Sequence, residues 1–144
     1  MDDKEIVDFL HRHLQSIQDN DTATYNETTS GDLTLYEWWV TPHRIDGLPF
    51  HEFMMQSNAS RGAFFGVEEG KGKSSRLDLA NLKVQRYGDT AVASYTLLAS
   101  TADAGGVKVA AHNESRVMVK LDGSWKVVHV HKSPAYPAPH IQGQ

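Results

Sequence analysis

The sequence predicts an α+β protein: helices near the start, packed on one face of a strongly curved, mostly antiparallel sheet. Three observations point there. Apolar residues in the first twenty positions recur at helical spacing. From residue 77 the period changes to two, in four long stretches separated by turn pairs that contain glycine. Helices gathered ahead of a meander of strands belong to the α+β class rather than to alternating α/β folds.

The first helix is expected to start at Asp2 or Asp3, whose carboxylate is suited to capping the free amides of the first turn. Ile6, Phe9, Leu10, Leu14 and Ile17 form its apolar stripe, and Asp19-Asn20-Asp21 ends it. Asp21 is placed to cap a short second helix over Thr22–Thr28, with Tyr25 as its buried anchor, although threonine is a poor helix former. Ser30-Gly31-Asp32 reads as a turn. Leu33, Leu35 and Glu37 then alternate with Thr34, Tyr36 and Trp38, as in a strand covered on both faces. Pro42 interrupts that strand, and Asp46-Gly47 reads as a tight turn. A third helix is expected from Leu48, with Pro49 in its first turn and Phe50, Phe53 and Met54 as its apolar face.

Residues 56–76, with glycine at 62, 66, 70 and 72, read as a loop. Strands are expected over 77–87, 90–101, 107–121 and 125–132. Gly88-Asp89, Gly105-Gly106 and Asp122-Gly123 serve as their hairpin turns. Residues 133–144 contain three prolines and should be extended. No repeat or second domain is legible, so residues 1–144 are expected to form one domain whose last residues, 136–144, are an extended tail. A curved sheet closing over a long helix leaves a conical cavity, a natural ligand site.

Composition narrows the function. The chain of 144 residues is 40% hydrophobic and 22% charged, with a net charge of −4, so it has room for a core and no broad attraction for nucleic acid or anionic membranes. It has no cysteine, which excludes disulfides, thiolate metal sites and a cysteine nucleophile. No apolar run approaches the roughly 20 residues of a membrane span, and the N-terminal residues lack a signal-peptide pattern, so a cytoplasmic location is expected. Three glycosylation triplets, at Asn26, Asn58 and Asn113, are read as chance on the same ground.

Several residues carry possible chemistry. Arg116 lies mid-strand beside Val117, Met118 and Val119, where a buried guanidinium needs a partner. It is either an anion anchor in the cone or one half of a structural pair with Glu37, Glu52 or Glu114. His129 and His131 share a strand face. A metal would need a third ligand from Glu37 or His51, and none is expected. If Lys132 points into the cone, alternation turns both histidines the other way, toward an interface or the helices. His51 is a candidate donor or base, and Tyr95 a polar handle facing the cone. Trp38 and Trp39 should point to opposite sides of a strand, one of them free for an oligomer interface or, less favoured, a ligand. Gly70-Lys71-Gly72-Lys73-Ser74 misses the phosphate-loop spacing by one residue.

Two stretches extend these readings. Asp32-Leu33-Thr34-Leu35-Tyr36-Glu37, followed by Gly47-Leu48-Pro49-Phe50-His51-Glu52-Phe53, is the first. Glu114-Ser115-Arg116-Val117, followed by Asp122-Gly123-Ser124-Trp125-Lys126-Val127-Val128-His129-Val130-His131, is the second. Together with Ala135-Tyr136-Pro137-Ala138-Pro139 they resemble the association ("hub") domain of calcium/calmodulin-dependent protein kinase II, within the nuclear-transport-factor-2-like and SnoaL-like superfamily.

The resemblance implies a cone-shaped fold that self-associates as a homodimer or a larger ring-like oligomer, and a basic cavity for a small anionic ligand such as a carboxylate. His51 and Arg116 match the family's cavity residues. Lys132 stands in place of an arginine, Leu97 in place of another arginine, and Ala59 in place of a tryptophan. Nothing in these residues resembles a kinase or a calmodulin-binding segment, so a stand-alone oligomerisation domain is expected, with Arg116, Lys132, His51, Tyr95 and Glu37 around the ligand. Trp38, Trp39, His129 and His131 are expected at interfaces. No cofactor is expected. The alternative is an isomerase, dehydratase or cyclase on the same fold, with His51 or Glu37 as base and Tyr95 or Arg116 as oxyanion donor.

Overall fold

The computed structural model describes residues 3–53, 63–64, 67–68 and 74–139. Helices α1 (Lys4–Gln18) and α2 (Thr22–Thr28) lead into β1 (Thr29–Tyr36) and the two-residue β2 (Ile45–Asp46). Residues 48–53 are helical and form α3. A small separate pair, β3 (Ala63–Phe64) and β4 (Val67–Glu68), comes next. Four long strands follow: β5 (Ser74–Tyr87), β6 (Thr90–Asp103), β7 (Gly106–Leu121) and β8 (Ser124–Pro134). The six-stranded sheet has the order β2-β1-β8-β7-β6-β5. Every adjacent pair is antiparallel except β1 with β8, which is parallel, so the expected α+β class is found.

The apolar stripe of α1 does what its spacing predicts. Ile6, Leu10, Leu14 and Ile17 are all buried and join the core with Leu33, Leu35, Ala91, Leu97 and Val127 from the sheet. The cap expected from Asp3 does not form. Asp3 occupies the capping position without a side-chain bond, and its carbonyl instead accepts from Val7 N–H at 2.9 Å. Asp2 lies outside the described residues. At α2 the cap is present: Asp21 accepts from the Thr24 amide at 3.2 Å and from its hydroxyl at 2.7 Å, and Tyr25 is buried.

Several expectations around β1 are corrected. Ser30-Gly31-Asp32 is not a turn but the irregular first half of β1, where the register with β8 shifts between Thr29 and Thr34. The strand ends at Tyr36. The Val40 and Thr41 amides both bond back to the Glu37 carbonyl, and that turn takes Trp38 and Trp39 out of strand alternation. Asp46-Gly47 closes β2 rather than forming a hairpin. Gly47, at φ +94°, donates to the Leu33 carbonyl at 2.7 Å and sets the entry angle of α3. That angle turns Leu48 and His51 inward, while Phe50 and Phe53 are 51% and 64% exposed, so the phenylalanine face expected to be buried faces out. Met54 and most of the expected 56–76 loop lie outside the described residues.

Two hairpins turn on the expected pairs, Gly88-Asp89 and Asp122-Gly123; the third turns at Ala104-Gly105, one residue earlier than expected, and Gly106 opens β7. Asp122 and Gly123, at φ +50° and +82°, form a two-residue loop between Leu121 and Ser124 whose twist matches the flanking strands. On β6 the odd positions from Ala91 to Ala99 face the helices, and on β7 the even positions from His112 to Met118 do. On β8 the phase changes. Val117 pairs with His129 and Met118 with Val127, so Val128 is an extra residue. Trp125 and Val127 face inward before it, and Val130 and Lys132 after it. No helix among the described residues is long and apolar enough to cross a membrane.

Candidate functional site

The inward positions of β6, β7 and β8 and the buried side of the helices bring a charged cluster together inside the protein. Register places Tyr95 opposite Glu114, and Arg116 opposite Ala93, whose small side chain leaves room for a guanidinium. Arg116 is 1% exposed and Glu114 2%. Arg116 pairs directly with Glu114, and its Nη1 donates to the Tyr95 hydroxyl at 2.6 Å. Tyr95 in turn donates to Glu114 Oε1 at 2.6 Å, and His112 Nε2 lies 2.8 Å from Glu114 Oε2. Burial opposes ionisation of Glu114, but the Arg116 charge and the His112 bond outweigh it and hold the carboxyl well below the usual range. Burial, with the Glu114 charge and hydrogen bond, pushes the Tyr95 phenol up against the Arg116 charge, so it stays protonated.

A second network stands beside the first. Lys132 Nζ donates to Glu37 Oε2 at 3.0 Å, and both are buried. Burial raises the Glu37 carboxyl, but the Lys132, His51 and Arg116 charges and the Lys132 hydrogen bond together outweigh it, and its pKa is lowered. His51 Nδ1 approaches Glu37 Oε1 to 3.3 Å, close enough for charge attraction but not aligned as a hydrogen bond. Burial, helped by Lys132 and Arg116, lowers the His51 pKa to about 4 against the pull of Glu37, so this imidazole is neutral at physiological pH.

From the helices, His13 stacks on Tyr25 at 5.1 Å and Tyr25 on His51 at 5.7 Å. Thr28 commits its hydroxyl proton to the Thr24 carbonyl, so it accepts from His13 Nδ1–H at 2.8 Å, and His13 Nε2 carries the bare lone pair. Among the described residues, Arg116 Nε, His13 Nε2 and His51 Nδ1 are buried polar atoms without a hydrogen-bond partner. Buried polar atoms are seldom left that way.

The structure therefore groups Arg116, Lys132, His51, Tyr95 and Glu37, the five residues expected around a ligand. It also pairs Arg116 with Glu114, one of the structural partners considered from sequence. The donors suggested for an oxyanion, Tyr95 and Arg116, are both engaged by Glu114.

Trp38 and Trp39 do not point to opposite sides. Their rings meet at 4.5 Å and both contact His112, at 5.4 and 5.8 Å. Trp39 lies 5.2 Å from the Lys132 ammonium, a cation–π contact, and Trp38 is 43% exposed. The pair thus roofs the charged cluster. His129 and His131 face the other side of the sheet, as Lys132 pointing inward requires. His129 Nδ1 meets the Thr34 hydroxyl at 2.8 Å, and Tyr36 packs on His131 at 4.9 Å. No group of three metal-ligating side chains occurs among the described residues.

Sequence reasoning missed two members. His13 follows Leu10 by three residues and precedes Ile17 by four, which puts it on the buried stripe although it shares no face with His11. His112 shares the even-numbered phase of Glu114 and Arg116 on β7.

Helices folded over one face of a mixed six-stranded sheet, with polar chemistry between the layers, define the nuclear-transport-factor-2-like class. The chain superimposes on a nuclear transport factor 2 (NTF2-like) superfamily protein from Salmonella enterica serovar Typhimurium with a TM-score of 0.68 and 24% identity, covering 98% of this chain and 96% of that one. Within the class the assignment is narrower. Residues 2–136 match the family model of the calcium/calmodulin dependent protein kinase II association domain, and the chain belongs to that family.

The association domain of Caenorhabditis elegans CaMKII is similar with a TM-score of 0.73 and 27% identity, over 90% of this chain and 93% of that chain. The calcium/calmodulin-dependent protein kinase type II subunit delta of Oryctolagus cuniculus is 25% identical over 138 residues. That match takes in 94% of this chain but only 24% of the kinase subunit, so the chain spans about a quarter of that relative's length.

Proposed function

We propose that this chain is a self-associating hub that also holds a small carboxylate in its interior. Membership of an association-domain family supports the first half. The second half rests on one observation: Arg116, Lys132 and His51 converge in a single buried cluster where the Arg116 Nε–H has no acceptor among the described residues. Glu114 and Glu37 already balance the two fixed charges. A guest carboxylate therefore binds by accepting that Nε–H and sharing Lys132 with Glu37, not by filling an excess of positive charge. The low-dielectric surroundings strengthen those bonds.

Sedimentation velocity at tens of micromolar is expected to give a mass at least twice that of the 16.0 kDa chain, as a dimer or a larger ring. A single species at the monomer mass would remove the hub reading. Calorimetric titration with butyrate or benzoate is expected to show saturable heat with a dissociation constant of about 10 µM to 1 mM. Heats no larger than dilution with both acids would remove the carboxylate reading and leave assembly untouched.

A further inference from the structure

The fixed charges of the interior already cancel: Arg116 against Glu114, and Lys132 against Glu37. A carboxylate added to them brings a negative charge with no counter-ion, and a buried ion without one is costly. A proton taken up with the guest removes that cost, and one side chain is arranged to receive it.

That side chain is His13, which is fully buried. Its Nδ1–H donates to the Thr28 hydroxyl, whose own proton is committed to the Thr24 carbonyl. This bond is the same for the neutral ring and for the imidazolium, because both carry hydrogen on Nδ1. Protonation therefore changes Nε2 alone, and Nε2 is buried with no hydrogen-bond partner among the described residues. A proton adds there without any side chain having to turn.

The neighbours of His13 decide when it does so. Phe9 of its own helix and Tyr25 of α2 stack on the ring, and burial keeps the Tyr25 phenol protonated. Arg116 and Glu114 of β7, Lys132 of β8 and His51 of α3 are the charged and titratable groups that act on it, while Glu52 of α3 acts on Tyr25. Burial first, then Arg116, Lys132 and His51, disfavour a positive ring, and Glu114 favours one, so the ring is neutral in the empty protein. His51 is the other imidazole within the cluster, but its Nδ1 already lies 3.3 Å from Glu37. A proton on that atom points at a carboxylate of the protein. A proton on His13 Nε2 has no acceptor until a guest supplies one, so guest and proton are coupled most strongly there.

We propose that a monocarboxylate enters this interior together with one proton, which His13 Nε2 takes from solvent and donates to the guest as a charge-assisted hydrogen bond. The proposal rests on the carboxylate reading above and adds that occupancy is governed by pH. The bound pair is imidazolium and carboxylate, neutral as a whole, and no bond of the guest is broken. The guest raises the affinity of His13 for its proton, so binding takes up a proton wherever the empty protein lacks it, and weakens as the pH rises.

Butyrate or benzoate titrated calorimetrically into the parent protein in HEPES and in Tris, whose ionisation enthalpies differ, reads the protons exchanged. About one proton is expected per guest near pH 7, and the dissociation constant should rise about five- to tenfold per pH unit from about pH 6 to about pH 8. His13→Gln has an amide that still donates to Thr28 but takes no proton. It should bind with no proton uptake and with a constant that does not change over that range. Its circular dichroism should match the parent, and His13→Leu repeats the test should His13→Gln fail to fold. Without any substitution, NMR of the imidazole nitrogens in the parent should show one nitrogen pass from the unprotonated to the protonated range on saturation with benzoate. If neither acid gives heat beyond dilution, the carboxylate reading fails and this proposal fails with it. If they bind with no proton uptake, or if folded His13→Gln keeps the uptake, the carboxylate reading stands and the coupling through His13 is wrong.

Discussion

Glu114→Gln is expected to lower the stability of the protein by about 3–5 kcal/mol, read as a large fall in the urea midpoint. Arg116 is almost completely buried, and among the described residues Glu114 is the carboxylate in direct contact with it. The amide keeps the shape of the carboxylate but not its charge. The guanidinium would be left charged in a medium where desolvation is costly, because burial cannot neutralise it: Tyr95 and Glu114 together raise its pKa further, against the effect of burial. Lys132 is too far engaged with Glu37 to compensate.

The contrast with a surface pair makes the prediction specific. Arg12 and Glu27 are also close, at 2.7 Å, but their side chains are 50% and 64% exposed. Glu27→Gln should therefore cost less than about 1 kcal/mol. If the two variants lose similar amounts, the buried pair is not the structural keystone the geometry makes it. Replacing Arg116 and Glu114 together by Met and Leu should lose less than Glu114→Gln alone, because no uncompensated charge remains.

Stability should also fall in two stages as the solution is acidified. Burial lowers the pKa of His51 to about 4, and burial with the Arg116 and Lys132 charges lowers that of His13 well below 6.5. The unfolded chain therefore binds these protons first. The contribution of both histidines is complete above about pH 6.5 and is lost as the pH falls toward 4, with a slope of about 1.4 kcal/mol per pH unit for each. Glu37 and Glu114 have lowered pKa values, so their contribution is complete above about 4.5 and is lost below it. Urea midpoints taken from pH 8 to pH 4 at one protein concentration should be level at first, then decline from near pH 6.5, then steepen below 4.5. A level response down to pH 5 would mean that His13 and His51 are charged in the folded protein.

Much of this architecture was legible in the sequence because it depends on periodicity and local chemistry. The stripe of α1, the Asp21 cap and the hairpins at the glycine pairs are local properties and came through. So did the inward phase of Arg116 and Tyr95. The failures are contacts between elements. The two residues of β2 exist only because β1 offers an edge to pair with. The face α3 buries is set by the backbone at Gly47, not by where its phenylalanines fall. Strand alternation predicts opposite sides for Trp38 and Trp39, but the strand stops at Tyr36, two residues before Trp38, and Glu37 closes a turn. His13 and His112 sat on the correct faces, but polarity hides a residue from a search for apolar patterns.

The extra residue at Val128 has an effect out of proportion to its size. It advances the frame of β8 by one, so that Lys132 enters the interior and His131 faces outward. Two properties of the molecule hang on that one offset: the cation beside Glu37, and the His129 and His131 pair on the opposite face. A regular strand through the same residues, with no bulge at Val128, would exchange them at once. It would carry histidine where the cluster has lysine, and lysine where the outer face has histidine. The buried cluster and the opposite face are thus tied to the same step in the chain, and neither can change phase without the other.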